Sequence, residues 1–253
     1  MSKKSSKPYK KEKGVVGPNQ RTIKILHRHG EKKAIQILSI PWRRPFKNVY
    51  RFKCTLQDTK PPVWRSLLVP ESCTFYDLHV AIQDAMDWLD YHLHCFKIPG
   101  IGTSEPIAHI ECPWGEPWEM DPDWLFTTEV PLIEFVKKPS DMAIYYYDYG
   151  DNWKMTVTLE KILPKTKNTR YPLCVGGKLA APPEDCGSTT GYYRCIEAFE
   201  PGEKLEKLPY TEENEELMEL LEWIGDWNPF EFDPKKIRFD NPRKRFIMAL
   251  DVE

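Results

Sequence analysis

Polar and apolar residues alternate through residues 49–57. Tyr50, Phe52, Cys54 and Leu56 fall on one side, Arg51, Lys53 and Thr55 on the other. A period of two marks a half-buried β-strand. Pro61-Pro62 supplies a turn and residues 63–69 a returning strand. Beyond Pro70 the period lengthens. Leu78, Ala81, Ile82, Ala85 and Leu89 form an apolar stripe at helical spacing, opened by Thr74 as N-cap with Asp77 three residues on. His92-Leu93-His94-Cys95-Phe96 reads as a further strand. The proline-rich residues 99–131 show no clean period and are expected to form a long loop or insertion, with Trp114, Trp118 and Trp124 packed down on the body.

The clearest hairpin pairs residues 143–149 with 153–160, where Trp153, Met155, Val157 and Leu159 alternate with polar neighbours around a turn at Gly150. A loop containing Pro172, Gly176-Gly177 and Pro182-Pro183 should follow. Two amphipathic helices come next, one from Ser188 and one from a Thr211 cap to Gly225, and Asn241-Pro242 opens a short C-terminal helix. Strands, helix, strands, then helices predict an α+β fold: a mixed or antiparallel sheet with packed helices in a single main domain at 48–253.

Composition adds a sharp asymmetry. Among the 253 residues, 36 are Lys or Arg and 38 Asp or Glu. Residues 1–47 hold 14 basic and 2 acidic side chains, a net of +12, which leaves −14 for the remainder. This predicts a basic N-terminal arm, containing a short hairpin around His29-Gly30, on an acidic body. Lys10, Lys11, Lys13, Arg21, Arg28, Lys32, Lys33, Arg43 and Arg44 are the candidate contacts to a phosphate backbone. The plainer alternative is a solubilising tail folded back on the body. Seven scattered cysteines and no apolar run of membrane-spanning length predict a cytoplasmic protein with no membrane partner.

Three constellations carry candidate chemistry. On a strand, His92 and His94 would share one face, a geometry for two metal ligands or an acid/base pair. Two histidines bonded within the sheet are the plainer alternative. Tyr147, Asp148, Asp151 and Trp153 surround the hairpin turn, where the carboxylates would bind a cation or simply satisfy turn amides. Glu184, Asp185 and Cys186 precede the helix at Ser188, a position where helix N–H groups alone favour acids. Phosphate-loop, dinucleotide-binding, G-x-S-x-G, H-E-x-x-H and CxxC motifs are all absent, so the familiar enzyme classes lack support.

Short motifs in order resemble the plasmid pRiA4b ORF-3-like family over roughly residues 48–235. They are the strand at 50–56, Pro61-Pro62-Val63-Trp64-Arg65, the helix at 78–88 with His92-Leu93-His94-Cys95-Phe96, and residues 147–153. Leu159-Glu160-Lys161, Tyr171-Pro172-Leu173-Cys174, residues 182–187 and Leu220-Leu221-Glu222-Trp223 complete the set. The resemblance implies a compact α+β domain found on plasmids and mobile elements, some of whose relatives carry resolvase or repressor labels. Neither a resolvase serine pattern nor a helix-turn-helix is legible here. Met155 stands where the family pattern often has His, and Ala181 where it often has Cys. Any metal or redox centre built on those positions would have to manage with His92, His94, Cys174 and Cys186.

The expectation that follows is a non-catalytic binding module of mobile-element type, associated with nucleic acid or another polyanion through its arm. No cofactor is predicted; zinc is the one ion weighed. The alternatives are a metal-assisted hydrolase with a site at the His92/His94 and Asp148/Asp151 strands, and a protein-interaction adaptor using the Glu-rich stretch 197–222.

Overall fold

The computed structural model describes residues 44–113, 125–200 and 211–251. Of the basic candidates only Arg44 is among them; the other eight, and the three tryptophans at 114–124, lie outside the described residues. Eight strands form one sheet in the order β5-β4-β3-β6-β7-β1-β2-β8. Its strands are β1 (Asn48–Leu56), β2 (Trp64–Pro70), β3 (His94–Pro99), β4 (Pro106–Glu111), β5 (Leu125–Phe126), β6 (Met142–Tyr147), β7 (Trp153–Pro164) and β8 (Leu173–Lys178). The β4/β5 pair is parallel and the other pairs are antiparallel, so the sheet is mixed and the fold α+β.

The alternation in β1 does what its period demands. Tyr50, Phe52, Cys54 and Leu56 enter the core together with Leu67 and Val69 of β2 and Met155, Val157 and Leu159 of β7. Helix α1 (Phe75–Met86) supplies the facing layer with Leu78, Ala81, Ile82 and Ala85. Its predicted cap is present in both directions. The Asp77 amide donates to Thr74 Oγ1 at 3.2 Å, and the Thr74 amide donates to Asp77 Oδ2 at 2.7 Å. The helix stops one turn earlier than its stripe suggests, because Asp87 turns left-handed (φ 58°) and leaves Leu89 exposed.

Two loop expectations are corrected. Residues 106–111 are strand β4, hydrogen-bonded to β3, and residues 173–178 are strand β8, paired with the edge of β2. A short helix α2 (Leu132–Phe135) follows the predicted loop, ahead of β6. The later helices fall where predicted: α3 (Ser188–Phe199), α4 (Glu212–Ile224) and α5 (Pro242–Asp251). Among the described residues no helix is long and apolar enough to cross a membrane.

Candidate functional site

Two separate segments deliver three carboxylates to one imidazole. His92 lies in the bend just before β3, and its Nε2 is 2.7 Å from Asp185 Oδ1, 3.7 Å from Asp148 Oδ2 and 3.8 Å from Glu184 Oε1. Asp148 sits at the tip of the β6–β7 hairpin with φ 54°, and Asp185 ahead of α3 with φ 58°. Aspartate is among the few non-glycine residues that enter this left-handed region readily, so both turns suit the side chains they present.

Two of the three carboxylates, Asp148 and Glu184, are held by further contacts. Asp148 Oδ1 accepts the Gly150 amide at 2.9 Å. Glu184 Oε2 accepts the Leu89 amide at 2.7 Å, and its Oε1 accepts the Tyr147 hydroxyl at 2.6 Å. Burial and the neighbouring Glu184 push the Tyr147 phenol well up, so it remains a donor. Asp151 works from outside the cluster: its Oδ2 accepts the Gly187 amide at 3.0 Å and ties the 184–187 turn to the hairpin. Trp88, 4% exposed, stacks on Tyr147 at 5.1 Å and donates its indole N–H to Pro182 O at 3.0 Å. A cleft of about 970 Å³ runs alongside, lined by Trp88, Leu89, Pro183, Trp227 and Phe232 among others.

Among the described residues no Lys or Arg forms an ion pair with Asp148, Glu184 or Asp185, and His92 is the basic group they surround. One nitrogen and two carboxylate oxygens, from His92, Asp148 and Asp185, lie within 4.8 Å of one another, at a site where Asp185 is 59% and His92 31% exposed; with Glu184 Oε1 beside them they make a donor set suited to a divalent cation.

The remaining predicted site residues go elsewhere. Trp153 is buried beneath the site, with its ring 6.0 Å from that of Trp88. Cys186 turns its thiol toward Cys195 of α3, and Cys174 lies on β8 at the far edge of the sheet from β3. The donors His92, His94, Cys174 and Cys186 therefore do not converge.

His94 is the sharpest correction. The rule that residues i and i+2 share a face holds only within a strand, and β3 begins at His94 itself. His94 is fully buried and lies flat on His79 of α1, with ring centres 3.4 Å apart and planes 9° from parallel. His79 Nε2 is 2.8 Å from Asp90 Oδ1 and its Nδ1 is 2.8 Å from the Tyr145 hydroxyl, which also accepts from Gln83 Nε2 at 2.9 Å. With the His79 proton on Nε2, directed at Asp90, Nδ1 accepts from Tyr145 and both ring nitrogens of His79 are satisfied. Arg245 of α5 flanks the group from outside, 3.7 Å from Asp90 Oδ2, and bonds Asp84 at 2.6 Å and Asp240 at 2.7 Å. Parallel rings aim their in-plane lone pairs side by side, so this group is a structural network instead of an ion cradle. The sequence did carry a signal for it. Tyr76, His79 and Gln83 recur at helical spacing on the stripe that α1 buries.

His94 Nδ1 has no hydrogen-bond partner, and burial together with His79 holds its pKa well below the usual histidine range. The unfolded chain therefore takes up a proton below about pH 6.5 that the folded chain refuses. The His94 contribution to stability should be flat above that pH and fall by up to about 1.4 kcal/mol per unit below it. Chemical denaturation between pH 7.5 and pH 5 should show a shallower slope for His94→Asn than for the natural protein. Parallel slopes would remove His94 as the cause.

Comparison with known proteins places the chain in a class of α+β domains. The model of the plasmid pRiA4b ORF-3-like protein family matches residues 48–237, and the chain belongs to that family. It is 29% identical over 180 residues to the uncharacterized protein y4hQ of Sinorhizobium fredii, covering 70% of this chain and 81% of that one. A crystal structure of a protein of unknown function, MM3350 from Methanosarcina mazei Go1, superposes with a TM-score of 0.62 at 37% identity, covering 77% of this chain and 100% of the other.

Proposed function

We propose that this domain binds a divalent cation through His92, Asp148, Glu184 and Asp185 and uses it to hold a phosphate-bearing polyanion, without bond chemistry. The observation that carries this is the placement of three carboxylates within 4 Å of His92 Nε2, with no Lys or Arg ion-paired to them among the described residues. Such a cluster leaves negative charge to be met by a cation, and four protein donors leave coordination positions open to an anionic ligand. The excess of basic residues in 1–47 would add long-range attraction, which is the salt-dependent part of polyanion binding.

Protein prepared without chelator should take up about one equivalent of Mn²⁺ by calorimetry, with Asp148→Asn and Glu184→Gln each weakening it by roughly 10- to 100-fold. Fluorescence anisotropy with a labelled oligonucleotide should then show binding that needs Mn²⁺. In the full-length chain, replacing Lys10, Lys11, Lys13, Arg21, Arg28, Lys32 and Lys33 by Gln should flatten its salt dependence. Unchanged Mn²⁺ uptake in both carboxylate variants would reject the site. Oligonucleotide binding indifferent to Mn²⁺ would reject its use.

One observation favours the hydrolase reading as a second choice. Asp185, the most exposed of the three acids, borders the open side of the cluster and could receive a proton from water there. Release of product from a phosphodiester reporter by the Mn²⁺-loaded protein, abolished in Asp148→Asn, would move the assignment from binding to catalysis.

A further inference from the structure

A second group of metal-ligating side chains lies on the same sheet, independent of the first. Cys95 of β3 stands directly opposite Glu111 of β4, and His109 is two residues before Glu111, so β4 presents both on one face. One donor atom each from Cys95, His109 and Glu111 lies within 4.8 Å of the others. His109 Nε2 is 3.0 Å from Glu111 Oε2. The other oxygen, Glu111 Oε1, accepts the Tyr149 hydroxyl at 2.7 Å and the Cys112 amide at 3.1 Å. Cys95 is 2% and Glu111 5% exposed.

We infer that Cys95, His109 and Glu111 form a site for a borderline-soft divalent ion of the zinc class. Zinc takes sulfur at about 2.3 Å and nitrogen or oxygen at about 2.0–2.2 Å, which puts neighbouring tetrahedral ligands roughly 3.3–3.7 Å apart. His109 and Glu111 already stand 3.0 Å apart, and Cys95, within 4.8 Å of both, reaches that spacing by side-chain rotation. The carboxylate oxygen facing His109 is the one available, because its partner is held by Tyr149 and the Cys112 amide. That division of labour, one oxygen toward the ligand group and one fixed from behind, is how outer contacts orient a metal-binding carboxylate. Arg or Lys makes no ion pair with Glu111 among the described residues. The ligand types also separate this site from the first: thiolate and imidazole select zinc or cobalt, whereas the carboxylate-rich cluster at His92 suits manganese or magnesium. Three protein donors leave the fourth tetrahedral position for water or a ligand atom.

Cobalt distinguishes the two sites because a thiolate ligand gives Co²⁺ an intense near-ultraviolet charge-transfer band that oxygen ligands do not. Titrating the full-length protein with Co²⁺ should produce this band at one equivalent, and Zn²⁺ should bleach it. His92→Ala should keep it. Cys95→Ser should abolish it, and His109→Asn, at a half-buried position that tolerates change, should weaken Co²⁺ binding at least tenfold while circular dichroism stays unchanged. Absence of the band in the natural protein would overturn the inference. So would its survival in Cys95→Ser, which would assign it to another cysteine, or equal affinity in a folded His109→Asn protein.

Discussion

Arg65→Met is expected to lower the unfolding free energy by about 3 kcal/mol or more, the largest effect of any single conservative change considered. Arg65 is 2% exposed near the start of β2, between Cys54 of β1 and Gly177 of β8. Its Nε donates to Ala85 O at 2.7 Å, and its Nη1 to Trp64 O at 2.9 Å and Lys178 O at 3.2 Å. No carboxylate pairs with it among the described residues; instead the ring of Phe232 covers the guanidinium at 3.8 Å. Burial brings its pKa down to about 10, still cationic at neutral pH. The charge is met by backbone carbonyls, one of them at the negative C-terminal end of α1, and by a π-face. Methionine would fill much of the same volume but leave three acceptors without their donor. Lysine would keep the charge yet cannot spread it over three carbonyls, so Arg65→Lys should recover less than half of the loss. Urea denaturation at pH 7 measures both, and a midpoint for Arg65→Met within error of the natural protein would refute this account.

The same neighbourhood shows why part of the fold was hidden from the sequence. Strands β1, β6 and β7 declare themselves because each has one buried face and one wet one, so period and burial coincide. Strand β8 has no such period. Its Gly176 and Gly177 read as a loop, yet Gly177 is there because another group occupies its side-chain space: a Cβ on it would collide with Phe232. That requirement comes from residues 55 positions away and cannot be read locally. Strand β4 was obscured in a similar way. It begins at a proline and its outward face carries His109, so neither alternation nor composition marks it.

For the site, the sequence was informative about which residues were unusual and poor at saying which would meet. Tyr147, Asp148, Glu184 and Asp185 stood out as acids or hydroxyls beside turns and aromatics, and they do gather around His92. Their convergence depends on the hairpin tip and the 182–187 turn being clamped together by Asp151 and Trp88, which is tertiary information. His94 went to the wrong group because a strand boundary fell between two residues that looked alike. His79, its actual partner, looked like one more position on an amphipathic helix.

Trp88 joins stability to the site, and its two substitutions should separate the contributions. Trp88→Ala removes a ring that stacks on Tyr147, lies 6.0 Å from Trp153 and is almost wholly buried, so a loss of about 3–5 kcal/mol is expected. Trp88→Phe keeps most of the apolar contact but deletes the N–H donated to Pro182 O, costing about 1 kcal/mol. The smaller change carries the more specific consequence. Pro182 is two residues from Glu184, and without its anchor the turn can drift from His92. Mn²⁺ affinity in Trp88→Phe should therefore fall by roughly 10-fold, as outer contacts of metal ligands usually require. Denaturation and calorimetry on the same preparations give both numbers. If Trp88→Phe loses stability as expected yet binds Mn²⁺ as tightly as the natural protein, the indole supports the core alone and Glu184 is held in place by Tyr147 and the Leu89 amide.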